Sequence, residues 1–502
     1  MLDTVATALA GLLTVQSLFF LTVGMLIGLV VGVIPGIGGT AALAVLGPMT
    51  IGLEPAAAMS LAGGIMGAVS FGGSVTSILI NLPGGAPNAA TCLDGYPMAQ
   101  QGRAGAALGA SASASALGGL IGIFTLLLVM PLSKVIILSF GPPELFLLTI
   151  LGLVTIAVCV PGRMLRGLVI GVFGLMLAMV GFDSVNGGER YTFGTDYLWD
   201  GIPLAPTLIG LFAFPEMIRL SASGGSIART ASRVNIDGTM EGVWASFRYW
   251  KTLLRGSLIG TCIGAVPGVG GTVSAFIAYS STVQASKNPE SFGRGNIEGV
   301  IAPEAANNAK DSGSLLPTLA FGIPGSAEMA VFLSLLVLHG MQPGPQLLLE
   351  HEDVIYGLIL ALTLASVLAS IIGLMLIRPL AAITSLDGQM MVPMVIAVSL
   401  VGAYTTNLQP GDIIIACAFG VVGYLMNKFE YPRLTLVIAL VLGELCERSF
   451  HQSMMISGGD PSIFFGRTVS LVLVALIVLS FCVPIVGALL RRRGNAHPRE
   501  AK

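Results

Sequence analysis

Long uncharged apolar runs alternate with short stretches of Gly, Pro, Ser and Asn along the whole chain. Runs able to cross about 30 Å of hydrocarbon as helices lie near residues 15–34, 104–131, 143–160, 167–182, 206–222, 250–266, 354–377, 389–404, 410–427, 432–446 and 466–490. Shorter segments interrupted by glycine lie around 40–82, 87–98, 272–287 and 298–340. Inside a bilayer no water satisfies the peptide groups, so apolar runs of this length cross as helices. The pattern predicts an all-α polytopic membrane protein of about 10–13 transmembrane segments, with broken helices and re-entrant hairpins between them.

The interruptions carry more information than the runs. Pro35-Gly36-Ile37-Gly38-Gly39 recurs as Pro267-Gly268-Val269-Gly270-Gly271, each time after an apolar run and before a threonine, Thr40 or Thr272. Proline breaks the helical ladder, and glycine leaves the backbone bare. In lipid such a break is tolerated only where protein buries it or it lines a wet cavity. Two other phrases recur. Ser77-Ile-Leu-Ile-Asn-Leu-Pro83-Gly84 resembles Thr318-Leu-Ala-Phe-Gly-Ile-Pro324-Gly325, and Pro161-Gly162 with Gly174 resembles Pro410-Gly411 with Gly420. The pairs Pro35 and Pro267, Pro83 and Pro324, Pro161 and Pro410, and Gly174 and Gly420 stay in order along the chain. Their spacing drifts only slowly, as two copies with small loop insertions would show. Two repeats are expected, residues 1–238 and 239–502.

Charge orients them, because Lys and Arg of short loops stay cytoplasmic. The central linker, with Arg219, Arg229, Arg233, Arg248, Lys251 and Arg255, reads as cytoplasmic, as do Arg163 and Arg166. Asp183, Glu189, Asp196 and Asp200 mark the next loop as external. In the second copy the signs reverse: the Pro410-Gly411 loop has no basic residue, while Lys428 and Arg433 occupy the counterpart of the acidic loop. The repeats are therefore expected to be inverted, with the C-terminal Arg491-Arg492-Arg493 tail in the cytoplasm.

Composition narrows the function. The 502 residues are 54% hydrophobic and 10% charged, against roughly 25% charged in soluble domains. No Lys or Arg precedes Arg103, so the first apolar run is expected to remain in the mature protein. The six cysteines are scattered through apolar segments and read as small buried side chains, and the 21 methionines as filler. Four histidines stand apart, and no zinc, nucleophile-elbow or nucleotide-loop motif is present. No enzymatic activity, cofactor or nucleic-acid partner is expected, and an ion gradient is the economical energy source.

Polar groups gather around the breaks. The N–H groups of a new helix attract an anion, and the carbonyls that end the preceding helix suit a cation. An anion is expected on amides around Gly72, Gly73, Ser74 and Thr76 and around Gly313 and Ser314, aided by Asn81, Asn307, Asn308, Thr318 and Ser326. A coupling cation, Na⁺ or H⁺, is expected at carbonyls and hydroxyls of Pro35, Gly36, Gly38, Gly39 and Thr40 and of Pro267, Gly268, Gly270, Gly271 and Thr272. The competing reading of each isolated glycine is close helix packing. Lys310-Asp311 also reads as a self-neutralising pair, Asp94 as a helix cap or a functional group, and Glu144 and Glu216 as caps beside prolines. Glu444 reads as a functional group or an inter-helix link.

At these residues the chain resembles the TctA family, the large membrane subunit of tripartite tricarboxylate transporters. The resemblance is carried by Gly32-Val-Ile-Pro-Gly-Ile-Gly-Gly39, by Gly72-Gly-Ser74 through Asn81-Leu-Pro-Gly84, and by Asp94-Gly-Tyr-Pro-Met98 with Gly102-Arg-Ala-Gly105. In the second half it is carried by Ala302-Pro-Glu-Ala-Ala-Asn-Asn308, Gly322-Ile-Pro-Gly-Ser326 and Gly340-Met-Gln-Pro-Gly344. It implies a bacterial inner-membrane secondary transporter that imports organic anions such as citrate, coupled to a cation gradient. It also implies two partners, a small TctB-like membrane subunit and a periplasmic TctC-like solute-binding protein. The rival classes are an ion channel, whose breaks would form a filter, a carrier that works without a binding protein, and an intramembrane enzyme, disfavoured by the missing catalytic motifs.

Overall fold

The computed structural model of the chain describes residues 2–34, 38–138, 140–158, 164–183, 187–223, 237–383 and 388–494. The described chain is a succession of helices; its strands, among the described residues, are the two-residue pair Gly181–Phe182 and Glu189–Arg190. The first half holds α1 (Leu2–Leu12), α2 (Val15–Val33), α3 (Gly38–Leu46), α4 (Pro55–Ile80), α5 (Ala89–Gln100), α6 (Ala104–Leu138), α7 (Pro142–Val158) and α8 (Met164–Ala178). Next come α9 (Leu204–Leu208) and α10 (Phe214–Ser223), joined by a π-turn over Ile209–Ala213. The second half opens with α11 (Thr239–Arg248), α12 (Trp250–Gly264), α13 (Gly270–Ala285), α14 (Glu298–Phe321) and α15 (Ala327–Leu338). It continues through α16 (Pro345–Glu350), α17 (Glu352–Met375), α18 (Ile377–Ile383), α19 (Gly388–Tyr404), α20 (Pro410–Lys428), α21 (Arg433–Ile456) and α22 (Thr468–Gly494).

Among the described residues six stretches are long and apolar enough to cross a membrane: Val15–Val33, Pro55–Ile80, Ala104–Pro131, Leu204–Ala222, Glu352–Met375 and Pro410–Lys428. Five further apolar helices have 10–17 residues. α14 is also long, but Glu298, Glu304, Lys310 and Asp311 make it too polar to read as a span by hydropathy. The chain forms two compact units, one of Met1–Val135 with Pro203–Phe429 and one of Ile136–Ile202 with Glu430–Lys502. Each unit draws helices from both halves of the sequence.

In the larger unit, glycine spacing decides which helices meet. Gly24, Gly28 and Gly32 form one edge of α2, and a Cβ on each would lie 2.3, 2.6 and 2.4 Å from the carbonyl oxygens of Leu61, Ile65 and Val69 on α4. Only hydrogen fits there, so the two backbones touch along three turns. The same edge recurs on α12: a Cβ on Gly256, Gly260 or Gly264 would lie 2.6, 2.4 or 2.2 Å from the carbonyl oxygens of Ala302, Ala306 and Lys310 on α14. The α2 glycines precede those of α12 by the same interval that separates Pro35 from Pro267. The α4 carbonyls precede those of α14 by the slightly longer interval between Pro83 and Pro324. The packing thus repeats in the register of the PGxGG and Pro-Gly phrases.

The two long helices α4 and α14 end alike. α4 is capped by Asn81 (φ 57°) and α14 by Gly322 (φ 70°), both left-handed and spaced as Pro83 is from Pro324. The chain then folds back: a Cβ on Gly84 would meet Gly32 O at 2.1 Å, and one on Gly325 would meet Gly264 O at 2.9 Å. The following helices cross over. α6 packs on α14 through Gly118 against Ala305 and Gly122 against Ala309, whereas α17 packs on α4 at Gly63 against Ala361 and Gly67 against Ala365. α20 packs on the π-turn, where a Cβ on Gly210 would lie 2.3 Å from Ala416 O, and Gly420 abuts the Phe214 ring.

In the smaller unit α7 and α8 pack on α21, and α22 packs on α7. Gly174 of α8 abuts Ala439 of α21, and Gly443 of α21 abuts Ala178. Ion pairs link its helices. Arg190 grips Glu447 through two nitrogens at 2.6 and 3.0 Å. Fully buried Glu144 receives Arg467 at 2.9 Å, Ser470 at 2.6 Å and the Gly141 amide at 2.8 Å, so it caps α7 as the adjacent prolines suggested.

Candidate functional site

The first breaks separate α2 from α3 and α12 from α13. Gly38 (φ 62°) and Gly270 (φ 74°) sit at equivalent turns with open space where a side chain would be. The next glycines are lodged instead. A Cβ on Gly39 would meet Glu328 Oε1 at 2.7 Å and Val69 Cγ1 at 3.0 Å. A Cβ on Gly271 would meet Lys310 Cε at 2.4 Å and Pro87 Cγ at 2.9 Å. Lys310 itself binds Asp311 and lies 3.4 Å from Glu328 Oε2. Both PGxGG phrases therefore end against one cluster of Lys310, Asp311 and Glu328, in which the lysine and Asp311 are buried. Thr40 and Thr272 are half-buried beside the breaks.

A second polar centre lies six residues before Lys310 on α14. Glu304 is fully buried and carries no cation among the described residues. Its carboxylate is surrounded by hydroxyls from three helices of the first half. Ser74 Oγ of α4 lies 2.7 Å from each carboxylate oxygen, Ser115 Oγ of α6 lies 2.9 Å from Oε2, and Thr91 Oγ1 of α5 bonds Oε1. Asn88 Nδ2 donates to Ser74 Oγ at 2.8 Å and to Ser70 O at 3.0 Å. Further along α14, Asn308 Oδ1 and Ser312 Oγ are buried without hydrogen-bond partners among the described residues.

Several expectations need relocation. Gly72, Gly73, Ser74 and Thr76 lie inside the unbroken α4, and Gly313 and Ser314 lie inside α14. Their amides serve the helical ladders, so the expected donation of these N–H groups to an anion is corrected. Gly72 and Gly313 are packing glycines, whose Cβ atoms would lie 2.5 Å from Leu29 O and 2.1 Å from Thr261 O. Gly73 approaches the Asn88 side chain, and Thr76 bonds Gly73 O. The breaks themselves fall later, at Asn81–Asn88 and Gly322–Ser326.

Other candidates take mixed positions. Asn81 is an exposed cap and Asn307 is buried, while Asn308 Nδ2 donates to Ser366 Oγ at 3.0 Å. Ser314 donates to Gly264 O at 3.1 Å, the Gly325 amide lies 3.4 Å from Thr318 Oγ1, and Ser326 caps α15. Pro267, Gly268 and Gly270 are half-buried at the second turn. Pro35 and Gly36 lie outside the described residues, as do Pro161-Gly162, Arg163, Arg229 and Arg233. Asp94 is a cap: it receives the amides of Gly295 and Asn296 at 2.9 and 2.8 Å and the Tyr279 hydroxyl at 2.9 Å, just before α14. Glu216 pairs with Arg219 at 3.3 Å, and Glu444 is exposed on α21. Glu304 and Glu328 belong to the polar residues that gather around the breaks of the second copy, but the sequence assigns neither a role; the structure puts each into a polar centre.

The comparisons with known proteins agree with this picture. The family model "Tripartite tricarboxylate transporter TctA family" matches residues 18–438. An uncharacterized 52.8 kDa protein in the TAR-I ttuC' 3' region of Agrobacterium vitis is 33% identical over 493 residues, 97% of each chain. An uncharacterized protein in the TAR-II ttuC' 3' region of the same organism is 30% identical over 234 residues, 47% of this chain and 97% of that protein. No solved structure matches. With its apolar helices and a match over most of its length, the chain belongs to the TctA family of tripartite tricarboxylate transporter components.

Proposed function

We propose that the chain is the large membrane subunit of a binding-protein-dependent secondary transporter that imports organic anions, tricarboxylates or other carboxylates such as citrate, on a Na⁺ or H⁺ gradient. The observation that carries this reading is the meeting of both PGxGG breaks at Lys310 and Glu328. A buried ammonium beside two helix breaks offers an anion its counter-charge once the substrate displaces the looser of its two carboxylate partners, Glu328 at 3.4 Å. The substrate site then centres on Lys310 and the second breaks, with Ser326 and Thr318 at its edge and the unpartnered Asn308 Oδ1 and Ser312 Oγ in reserve. The cation remains assigned to the first breaks, at Gly38–Thr40 and Gly270–Thr272.

The twofold recurrence of the glycine contacts supports two repeats, residues 1–238 and 239–502, and the reversal of loop charge supports their inversion. The remaining features of the reading follow the family: a small membrane subunit, a periplasmic solute-binding protein, the bacterial inner membrane and a cytoplasmic C-terminus. Proteoliposomes holding the transporter, given labelled citrate and related carboxylates with the binding protein, test it. Saturable uptake driven by an imposed Na⁺ or proton gradient is expected. Gradient-independent, non-saturating flux would overturn it in favour of a channel.

A further inference from the structure

We propose that Glu304 is the proton-carrying residue of the transport cycle, with the Ser74 hydroxyl turning to satisfy it in both protonation states. The proposal rests on the transporter reading above, commits the coupling ion to H⁺, and places it on Glu304 instead of at the first breaks.

The argument is a proton inventory. Ser74 Oγ has one hydrogen but three acceptors within reach: Glu304 Oε1 and Oε2, each at 2.7 Å, and Ser70 O at 3.0 Å. Its lone pairs already receive Asn88 Nδ2 at 2.8 Å. When Glu304 is ionised, Ser74, Thr91 and Ser115 all donate to the carboxylate, and Ser70 O keeps its bond from Asn88. When Glu304 is protonated, its O–H donates to Ser74 Oγ, and the Ser74 hydroxyl turns to Ser70 O. Each of these polar atoms is satisfied in both states, and a rotation about one Cβ–Oγ bond separates them; Ser111 Oγ of α6, buried near the carboxylate without a hydrogen-bond partner among the described residues, is a further donor in reserve. On release the O–H bond of Glu304 breaks, the electron pair stays on the carboxylate, and the proton passes to water admitted from the cytoplasmic side.

Charge supports this assignment. A full negative charge in an apolar interior is costly without a cation. The charged groups of neighbouring elements are engaged elsewhere: Lys310, Asp311 and Glu328 with one another, Asp94 with Tyr279 and the Gly295 and Asn296 amides, Glu298 with Thr252. Cys92 of α5 is a titratable side chain close to Glu304. The hydroxyls come from the first half and the acid from the second, so relative movement of the two would open the shell.

The test uses the complete transporter in proteoliposomes and compares wild type with Glu304→Gln, whose amide can still bond the hydroxyls. Infrared difference spectra across a pH titration are expected to show a protonated-carboxyl carbonyl band that Glu304→Gln lacks. Labelled-citrate accumulation driven by a pH gradient is expected to be lost in the variant, while citrate–citrate exchange persists. A carbonyl band unchanged in the variant, proton-driven uptake retained in it, or wild-type uptake driven by Na⁺ alone would each overturn the proposal. A titrating Glu304 band in a protein that transports no carboxylate would leave the proton site standing and remove the transport reading. Should Glu304→Gln fail to insert, Ser115→Ala must move the midpoint of the band to higher pH, because it removes a donor to the anion; an unmoved midpoint overturns the proposal.

Discussion

The surroundings of Gly39 and Gly271 are the same in plan and opposite in chemistry. Val69 and Pro87 of the first half hold the positions that Lys310 and Glu328 hold in the second, and each break glycine touches one residue from each pair. Around them the backbone contacts recur position by position. The glycine edges, the left-handed caps and the folded-back Pro-Gly turns appear twice, whereas Glu304, Lys310, Asp311 and Glu328 appear once, opposite Gly63, Val69, Ser70 and Pro87. Scaffold and chemistry thus obey different symmetries. Packing needs both halves to fit alike, while the proposed anion site needs its ammonium only once.

The scaffold half of the comparison is tested by Gly32→Leu and Gly264→Leu. Each drives a side chain into a backbone carbonyl 2.4 or 2.2 Å from the Cβ position. Equal and severe loss of inserted protein, beyond the roughly 1–3 kcal/mol of ordinary overpacking, is expected by detergent thermal melts; one tolerant variant would break the equivalence. The chemical half is tested next by Lys310→Ala against Val69→Ala. Lys310→Ala leaves two acids without their cation and should cost about 3–5 kcal/mol and abolish citrate uptake. Val69→Ala should cost about 1–2 kcal/mol and leave uptake measurable, so equal uptake loss in both would remove the asymmetry.

Converting the second site to the first, with Lys310→Val, Asp311→Ser and Glu328→Pro together, sharpens the point. A buried ion cluster replaced by apolar groups is often neutral for stability, and proline is tolerated in the first turn of α15. A folded protein that neither binds nor moves labelled citrate is expected, by melting temperature and uptake. The smallest effect should come from Asp94→Asn, which keeps the shape of the cap before α14 and weakens its charge-assisted bonds. A loss of about 0.5–2 kcal/mol with uptake retained is expected; abolished uptake would give Asp94 a role beyond capping.

Much of the scaffold was legible in the sequence, because membrane helices advertise themselves by apolar length and their contacts by glycine. The spacings read from Pro35 with Pro267 and from Pro83 with Pro324 reappear in contacts that those phrases do not contain, such as Gly24 with Leu61 and Gly256 with Ala302. The site was less legible. Gly72-Gly73-Ser74 looked like a break, yet in lipid a helix keeps its ladder unless something replaces it, and Gly72 is there to admit α2. The shell of Glu304 was invisible for a different reason: Ser74, Thr91 and Ser115 lie 230, 213 and 189 residues away, and no local pattern links a hydroxyl to an acid across that distance.

The crossing of α17 onto α4 has a consequence for how the chain is made. Gly63 and Gly67 open an edge of α4 that Ala361 and Ala365 fill, and the rest of the first half and nearly half of the second are synthesised between them. At about 5–20 residues per second, α4 stands in the membrane for roughly 15–60 s before its partner emerges. Until then, lipid or the insertion machinery must occupy the groove that α17 will take.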